Sequence, residues 1–430
     1  MTLTGRAGLL ALAGALVIAV FGSGIALLVV NAVIVAMIAL DLILAARIAS
    51  LRVSRSGDPK IHLSQSGPTR LTVVNAGRRR LRGVVRDAWQ PSALAQPGRT
   101  RITVDAGSRA TTTTTLTPQR RGDFEAGRVT IRSLGPLGLA GRQRNRSAPL
   151  TVRVLPPFLS RKHLPSKLAK LRELDGQHKS ILRGQGSEFD SLRAYVLGDD
   201  VRSIDWRSSA RRADVLVRTW RPERDRRIVI VLDTGRTSAG RVGGIPRLDA
   251  AMDAALLLAA LAVRAGDRVD LIAVDRRVRA RVIGAARGDV LAAFTNQLAI
   301  LEPELTEPDI GLMVATVLGI ARQRCLVVLL TDLNPAAIEL GLMPHISLLS
   351  ARHQVLLAAV ADPRLAEMAA GRGDTTAVYE AAAAVTAQAG RARTAALLRR
   401  SGVEVVDAPP DRLPPALADA YLSLKAAGRL

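Results

Sequence analysis

The chain has 430 residues, with 61 Lys and Arg against 37 Asp and Glu for a net charge of +24; 48% of residues are hydrophobic and only 3% aromatic. That length exceeds what one hydrophobic core serves, so two or three domains with aliphatic cores are expected, and a lone cysteine, Cys325, excludes an intramolecular disulfide. The charge suits an acidic partner such as lipid headgroups or nucleic acid, although nearly all of it is Arg in an Ala-, Gly- and Arg-rich composition of the kind a GC-rich genome also produces.

Residues 7–46 are almost wholly apolar, interrupted by Gly22-Ser23-Gly24, Asn31 and Asp41. Such a stretch accommodates two membrane helices of ~20 residues joined by a tight turn at the glycines or near Asn31. Residues 1–50 are therefore expected to form a transmembrane hairpin. Arg6 precedes it, Arg47, Arg52 and Arg55 follow it, and the turn carries no positive charge. The positive-inside bias then places everything after residue 50 in the cytoplasm of a multi-pass protein of the inner (cell) membrane. A signal peptide with one helix behind it is the alternative, but no small-residue cleavage pattern follows. Asp41, near the second helix's end, is within reach of the interface or the neighbouring helix.

Residues 51–155 change to short alternating runs rich in β-branched residues, punctuated by Gly, Pro, Asn and Asp. This texture predicts an antiparallel β-sandwich-like module. The run Thr111 to Thr115 suits a half-buried strand, and Ser133 to Arg142 a turn that closes the sheet. No chemistry is visible there, and a spacer or docking role is expected.

Residues 156–225 are a connector. Leu164, Leu168, Leu171 and Leu174 share one face of a predicted helix, with Lys167, Lys170 and Arg172 on the others. That pattern fits a helix packed on the next domain or one touching anionic lipid. Beyond it, Glu188, Arg193, Asp199, Arg202, Asp205 and Arg211 interleave with Phe189, Tyr195 and Trp206, and Gly184, Gly186 and Gly198 argue for loops and turns. Acid/base catalysis lacks a nucleophile or paired His, the acids match no compact metal loop, and their number makes a poor phosphate groove. A network of Arg–carboxylate pairs that fixes a loop is the structural reading.

The stretch from Gly186 to Glu223, "GSEFDSLRAYVLGDDVRSIDWRSSARRADVLVRTWRPE", resembles the signature of the domain of unknown function 58 family. Glu188-Phe189, Leu192-Arg193, Tyr195, Gly198-Asp199, Arg202, Ile204-Asp205-Trp206, Ala210-Arg211, Leu216, Arg218 and Glu223 carry the resemblance. It implies a membrane-anchored protein in which a hydrophobic hairpin and a β-rich region lead into a von Willebrand factor A-like domain. It further implies a MoxR-type AAA+ ATPase as partner, with no activity of the chain's own. The charged stretch would then be a collar locking the connector onto that domain, or a docking surface.

In residues 226–430, continuous apolar runs alternate with helical stretches, which predicts a mostly parallel, doubly wound (Rossmann-like) α/β sheet covered on both faces. Asp233, Asp332 and Asp362 end three of the runs, and ligands of open α/β sheets bind beyond the strands' carboxyl ends. Von Willebrand A domains are similar, and many hold Mg²⁺ through an Asp-x-Ser-x-Ser loop, a Thr and a further Asp. On that resemblance Asp233, Thr237 and Asp332 would form a degenerate metal site, with Thr306 or Asp309 serving the second loop. Gly235 removes one hydroxyl and Arg236 adds a cation, so a metal-free interaction surface is the leading expectation. No P-loop, zinc spacing or nucleophile elbow is present.

The sequence thus points to a non-enzymatic, membrane-anchored adaptor needing no cofactor. Two rivals remain: a metal-assisted hydrolase using Asp205, Asp233 and Asp332, and a basic nucleic-acid-binding protein.

Overall fold

Apolar helix formers from Gly5 onward give α1 (Gly5–Phe21) and α2 (Gly24–Leu44) in the computed structural model, which describes residues 1–181, 188–197, 199–211, 214–221 and 226–430. The turn lies at the glycines. Gly22 ends α1 with φ at +57°, a left-handed conformation open to glycine. Ser23 caps α2 by accepting from the Ala26 N–H at 3.1 Å. Asn31 lies inside α2 and donates to the Leu27 carbonyl. Gly14 lets the two helices approach, since a Cβ there would stand 2.9 Å from Val30 and Ile34.

Among the described residues one helix, within Gly24–Ser50, is long and apolar enough to cross a membrane. At 17 residues α1 is shorter, about 26 Å long against a hydrocarbon core of ~30 Å. A single candidate span therefore stands where two were expected.

The chain divides into two compact units, residues 1–157 and 158–430. In the first, Leu51–Gly57, Gly67–Asn75 and Arg109–Leu116 form a three-stranded antiparallel sheet. Leu81–Asp87, Thr100–Val104, Val129–Leu134 and Ala140–Arg146 form a second antiparallel sheet, to which Thr2–Leu3 adds an edge strand that the sequence did not announce. Strict alternation in Gly67–Asn75 buries Leu71 and Val73 on one face. These residues share one apolar cluster with Leu81, Val85, Ile102, Val129 and Ile131 of the second sheet. A third sheet joins Lys60–His62, Gly122–Glu125 and Thr151–Leu155, and here Lys60–His62 runs parallel to its neighbour.

In the second unit a six-stranded sheet runs in the spatial order Val278–Val282, Arg268–Val274, Arg227–Asp233, Leu326–Leu330, Gln354–Val360, Glu404–Ala408. Five strands are parallel, and the Val278–Val282 edge is antiparallel. Successive residues of the first strand serve opposite faces. Ile228, Ile230 and Leu232 enter the core shared with helices Arg247–Arg264 and Leu413–Ala426, whereas Val229 and Val231 enter the core beneath Ile310–Ile320 and Met343–Ser350. Each such burial contributes about 1.5–3 kcal/mol.

The connector helix Leu164–Ile181 belongs to this unit. Leu164, Leu168, Leu171 and Leu174 pack on the first core, and Lys167 and Lys170 reach Asp419 at 2.7 and 3.3 Å. Asp253 accepts from the Ser160 N–H and hydroxyl, which ties the preceding turn to helix Arg247–Arg264.

Candidate functional site

The charged stretch folds as a ribbon. Strands Glu188–Ala194 and Leu216–Arg221 pair antiparallel as a two-stranded sheet of their own, with a turn at Val201–Ser203 and a short helix at Trp206–Ser209 between them. Arg193 grips Asp199 with both terminal nitrogens, at 2.7 and 2.5 Å, and Asp199 also accepts from the Val196 N–H. The Arg193 guanidinium, and after it the Val196 amide, holds the Asp199 carboxyl below its ordinary range. Asp205 accepts from the Ser208 N–H at 3.0 Å and pairs with Arg218 at 2.8 Å; the Ser208 amide first and Arg218 second lower its pKa. The Ser209 hydroxyl donates to the Asp205 carbonyl and accepts from the Leu216 N–H, closing the loop onto the returning strand.

These pairs close within the ribbon. They build the expected Arg–carboxylate network, but their partners are other ribbon residues and not the six-stranded sheet. Arg202 and Arg211 are exposed and make no ion pair among the described residues. Glu223 lies outside the described residues, as do the side chains of Glu188 and Phe189. Tyr195 is half-buried, and its N–H donates to the Val215 carbonyl. What the network holds in the open is apolar: Trp206 is 64% exposed and Leu197 97%, beside exposed Val196 and Val201.

The second cluster lies where the sheet order reverses, beyond the carboxyl ends of Arg227–Asp233 and Leu326–Leu330. Asp233 is buried; one carboxylate oxygen accepts from the Gly235 N–H at 2.8 Å, the other from the Thr331 hydroxyl at 2.7 Å and the Thr237 hydroxyl at 3.5 Å. Burial raises its pKa, and these donors only partly offset that. Asp332 is clamped by two guanidiniums: Arg247 at 2.8 Å, on a helix of one face, and Arg391 at 2.7 Å, on helix Thr375–Arg400 of the other. Arg391 also reaches Asp407 at 2.8 Å. Beside Thr237, Arg247, Thr331 and Asp332 remain about 10 Å³, the room of one water.

These residues do not fit Mg²⁺, which demands near-octahedral oxygen ligands. Both Asp332 oxygens face arginines, and Asp233 is engaged by Gly235 and Thr237 of its own loop and by Thr331 of the neighbouring strand end. Gly235 is held tightly as well, because a Cβ there would come within 2.9 Å of Pro308 Cδ and the Thr306 carbonyl. Asp309 caps helix Ile310–Ile320 through the Leu312 N–H, and the Thr306 carbonyl accepts from the Arg236 N–H. Among the described residues no group of three or more His, Cys, Asp and Glu could hold a metal. Cys325 is buried, and burial pushes its thiol up to about 12, which leaves no thiolate at neutral pH.

Residues 191–400 match the family model "Protein of unknown function DUF58". The DUF58 match begins in the ribbon's first strand and ends with helix Thr375–Arg400, so it embraces both clusters. Uncharacterized proteins of Mycobacterium bovis and Mycobacterium tuberculosis are each 26% identical over 198 residues, covering 45% of this chain and 61% of theirs. The chain thus matches about three fifths of these relatives' length. Among solved structures, the CARDB domain of PF1109 from Pyrococcus furiosus aligns at 16% identity and TM-score 0.19, over 24% of this chain and 94% of that one. Proximal thread matrix protein 1 from the mussel byssus aligns at 13% identity and TM-score 0.28, over 47% of each chain. Likenesses this distant do not define the fold.

Proposed function

We propose that the chain is a membrane-anchored, non-enzymatic adaptor of the domain of unknown function 58 family, which uses the ribbon as its docking surface for a MoxR-type AAA+ ATPase. One observation carries the docking role: Val196, Leu197, Val201 and Trp206 are displayed to solvent on a loop fixed by two Arg–Asp pairs. Exposed apolar side chains with pre-set geometry, headed by a Trp, are the composition of an interface centre. Arg202, Arg207 and Arg211, exposed alongside, supply a basic rim for a partner's carboxylates. The ATPase itself enters through the family resemblance.

The strand order of the six-stranded sheet supports reading residues 226–430 as von Willebrand factor A-like, with arginines standing where such a domain holds its cation. The apolar cluster shared by two antiparallel sheets supports a sandwich in residues 51–155. The apolar α2, with α1 returning along it and Arg47 and Arg52 after it, supports an anchor whose following residues are cytoplasmic. Hydrolysis through Asp205, Asp233 and Asp332 has less support, since each carboxylate is engaged by a structural donor. Nucleic-acid binding has less still in the ribbon, where Asp199 and Asp205 neutralise two of the arginines.

Affinity capture of the detergent-solubilised full-length protein tests the adaptor reading. Wild type and Asp233→Ala should retain the ATPase, and Leu197→Asp with Trp206→Ala should lose it. Equal recovery by the ribbon variant would sink the assignment.

A further inference from the structure

Positive charge is concentrated in the first unit. Residues 1–157 hold 22 Lys and Arg against 6 Asp and Glu, so +16 of the net +24 resides there. Part of it converges on one place, the C-terminal end of α2. Arg142 Nε donates to the Leu42 carbonyl at 3.2 Å, Arg79 donates to the adjacent Ile43 carbonyl, and Arg146 donates to the Ile48 carbonyl at 2.7 Å. Arg47 lies within the same seven residues, exposed and without an ion pair among the described residues. Arg146 Nε is buried there with no hydrogen-bond partner. The helix's own acid does not neutralise them. Asp41 is fully buried and its carboxylate is taken up by the N–H groups of Leu137, Leu139 and Ala140 at 2.7–2.8 Å.

From this arrangement we infer that Arg47, Arg79, Arg142 and Arg146 form a binding site for the phosphate of an anionic phospholipid. The inference rests on α2 crossing the bilayer. Its last carbonyls then lie at the interface, and guanidiniums fastened to them stand at the depth of lipid phosphates. Donors pinned by one hydrogen bond keep others free, and Arg forks match phosphate geometry. Residues 137–140 hold the end of α2 in place, so the donors need little reorganisation on binding.

The test uses the full-length protein in detergent, titrated with phosphatidylglycerol or phosphatidylcholine and read by native mass spectrometry. Phosphatidylglycerol should bind more tightly. Arg47→Gln, at an exposed position, and Arg142→Gln should each weaken it about five-fold. Arg101→Gln, on the opposite edge of the five-stranded sheet, should leave it unchanged. Equal affinity for the two lipids, or equal loss in the Arg101 variant, would overturn the site. Competition by glycerol phosphate as strong as by intact lipid would reassign it to a free anion and overturn the lipid. Carbonate washing of membranes separates the two levels: release of the protein removes the anchor itself, whereas retention without headgroup preference defeats the lipid site alone.

Discussion

Asp41 lies one turn before the end of α2 and accepts three backbone N–H groups from the turn after Val129–Leu134. Gly135 makes the approach feasible, since a Cβ there would meet the carboxylate at 2.0 Å. The sequence marks Asp41 as an anomaly in an apolar run and Ser133 to Arg142 as a turn, but nothing in either pattern shows that the one serves the other across almost a hundred residues. Asp41→Ala should lower stability by about 1–3 kcal/mol, the cost of leaving buried donors unmet. Asp41→Asn, which keeps one acceptor, should cost less; thermal unfolding in detergent distinguishes them. Asp199 and Asp205 make the order of the ribbon depend on pH. Both have folded pKa values below the ordinary carboxylate value of about 3.9. Their contribution to ribbon order is therefore complete above that value and lost as pH falls through the folded values. Amide-exchange protection of residues 193–197, 199–211 and 214–218 should collapse below about pH 4, before that of the six-stranded sheet.

Among elements, the loop after Arg227–Asp233 shows how a sequence pattern can be legible while its chemistry is not. Asp233 and Asp332 lie at the carboxyl ends of neighbouring strands, where the alternation of apolar runs and helices puts them, whereas Thr237, also beside Asp332, was implied only by the von Willebrand A resemblance. The partners of Asp332 were invisible, because Arg247 and Arg391 lie 85 and 59 residues away on helices of opposite faces. Gly235→Ser would restore the metal-loop pattern in sequence alone. Its Cβ meets Pro308 and the Thr306 carbonyl at 2.9 Å, so the variant should lose about 1–3 kcal/mol and show no Mg²⁺-dependent rise in unfolding temperature. Such a rise would mean that the arginines yield the site to a cation. The ribbon was half legible in the same sense. Its strand at Leu216–Arg221 follows from the return of alternation after Asp214. The pairing of Arg193 with Asp199, and of Asp205 with Arg218, depends on a fold-back that acid–base alternation alone does not specify.

For the whole molecule, the five parallel strands were readable because continuous apolar runs of that length fit only a doubly covered sheet. The antiparallel edge Val278–Val282 escaped because it alternates polar and apolar residues. Residues 1–157 carry most of the net charge, and the ribbon displays Leu197 and Trp206 to solvent. On the proposed adaptor reading, this ribbon, and not the crevice at the strand ends, is where a partner docks. A photo-crosslinking residue placed at Leu197 or Trp206 in the membrane-embedded full-length protein, beside the same residue at Thr237, tests it most directly. Adducts with an AAA+ ATPase from positions 197 and 206 and none from 237 are the expected result. Adducts from 237 alone, or none from either ribbon position, would contradict it.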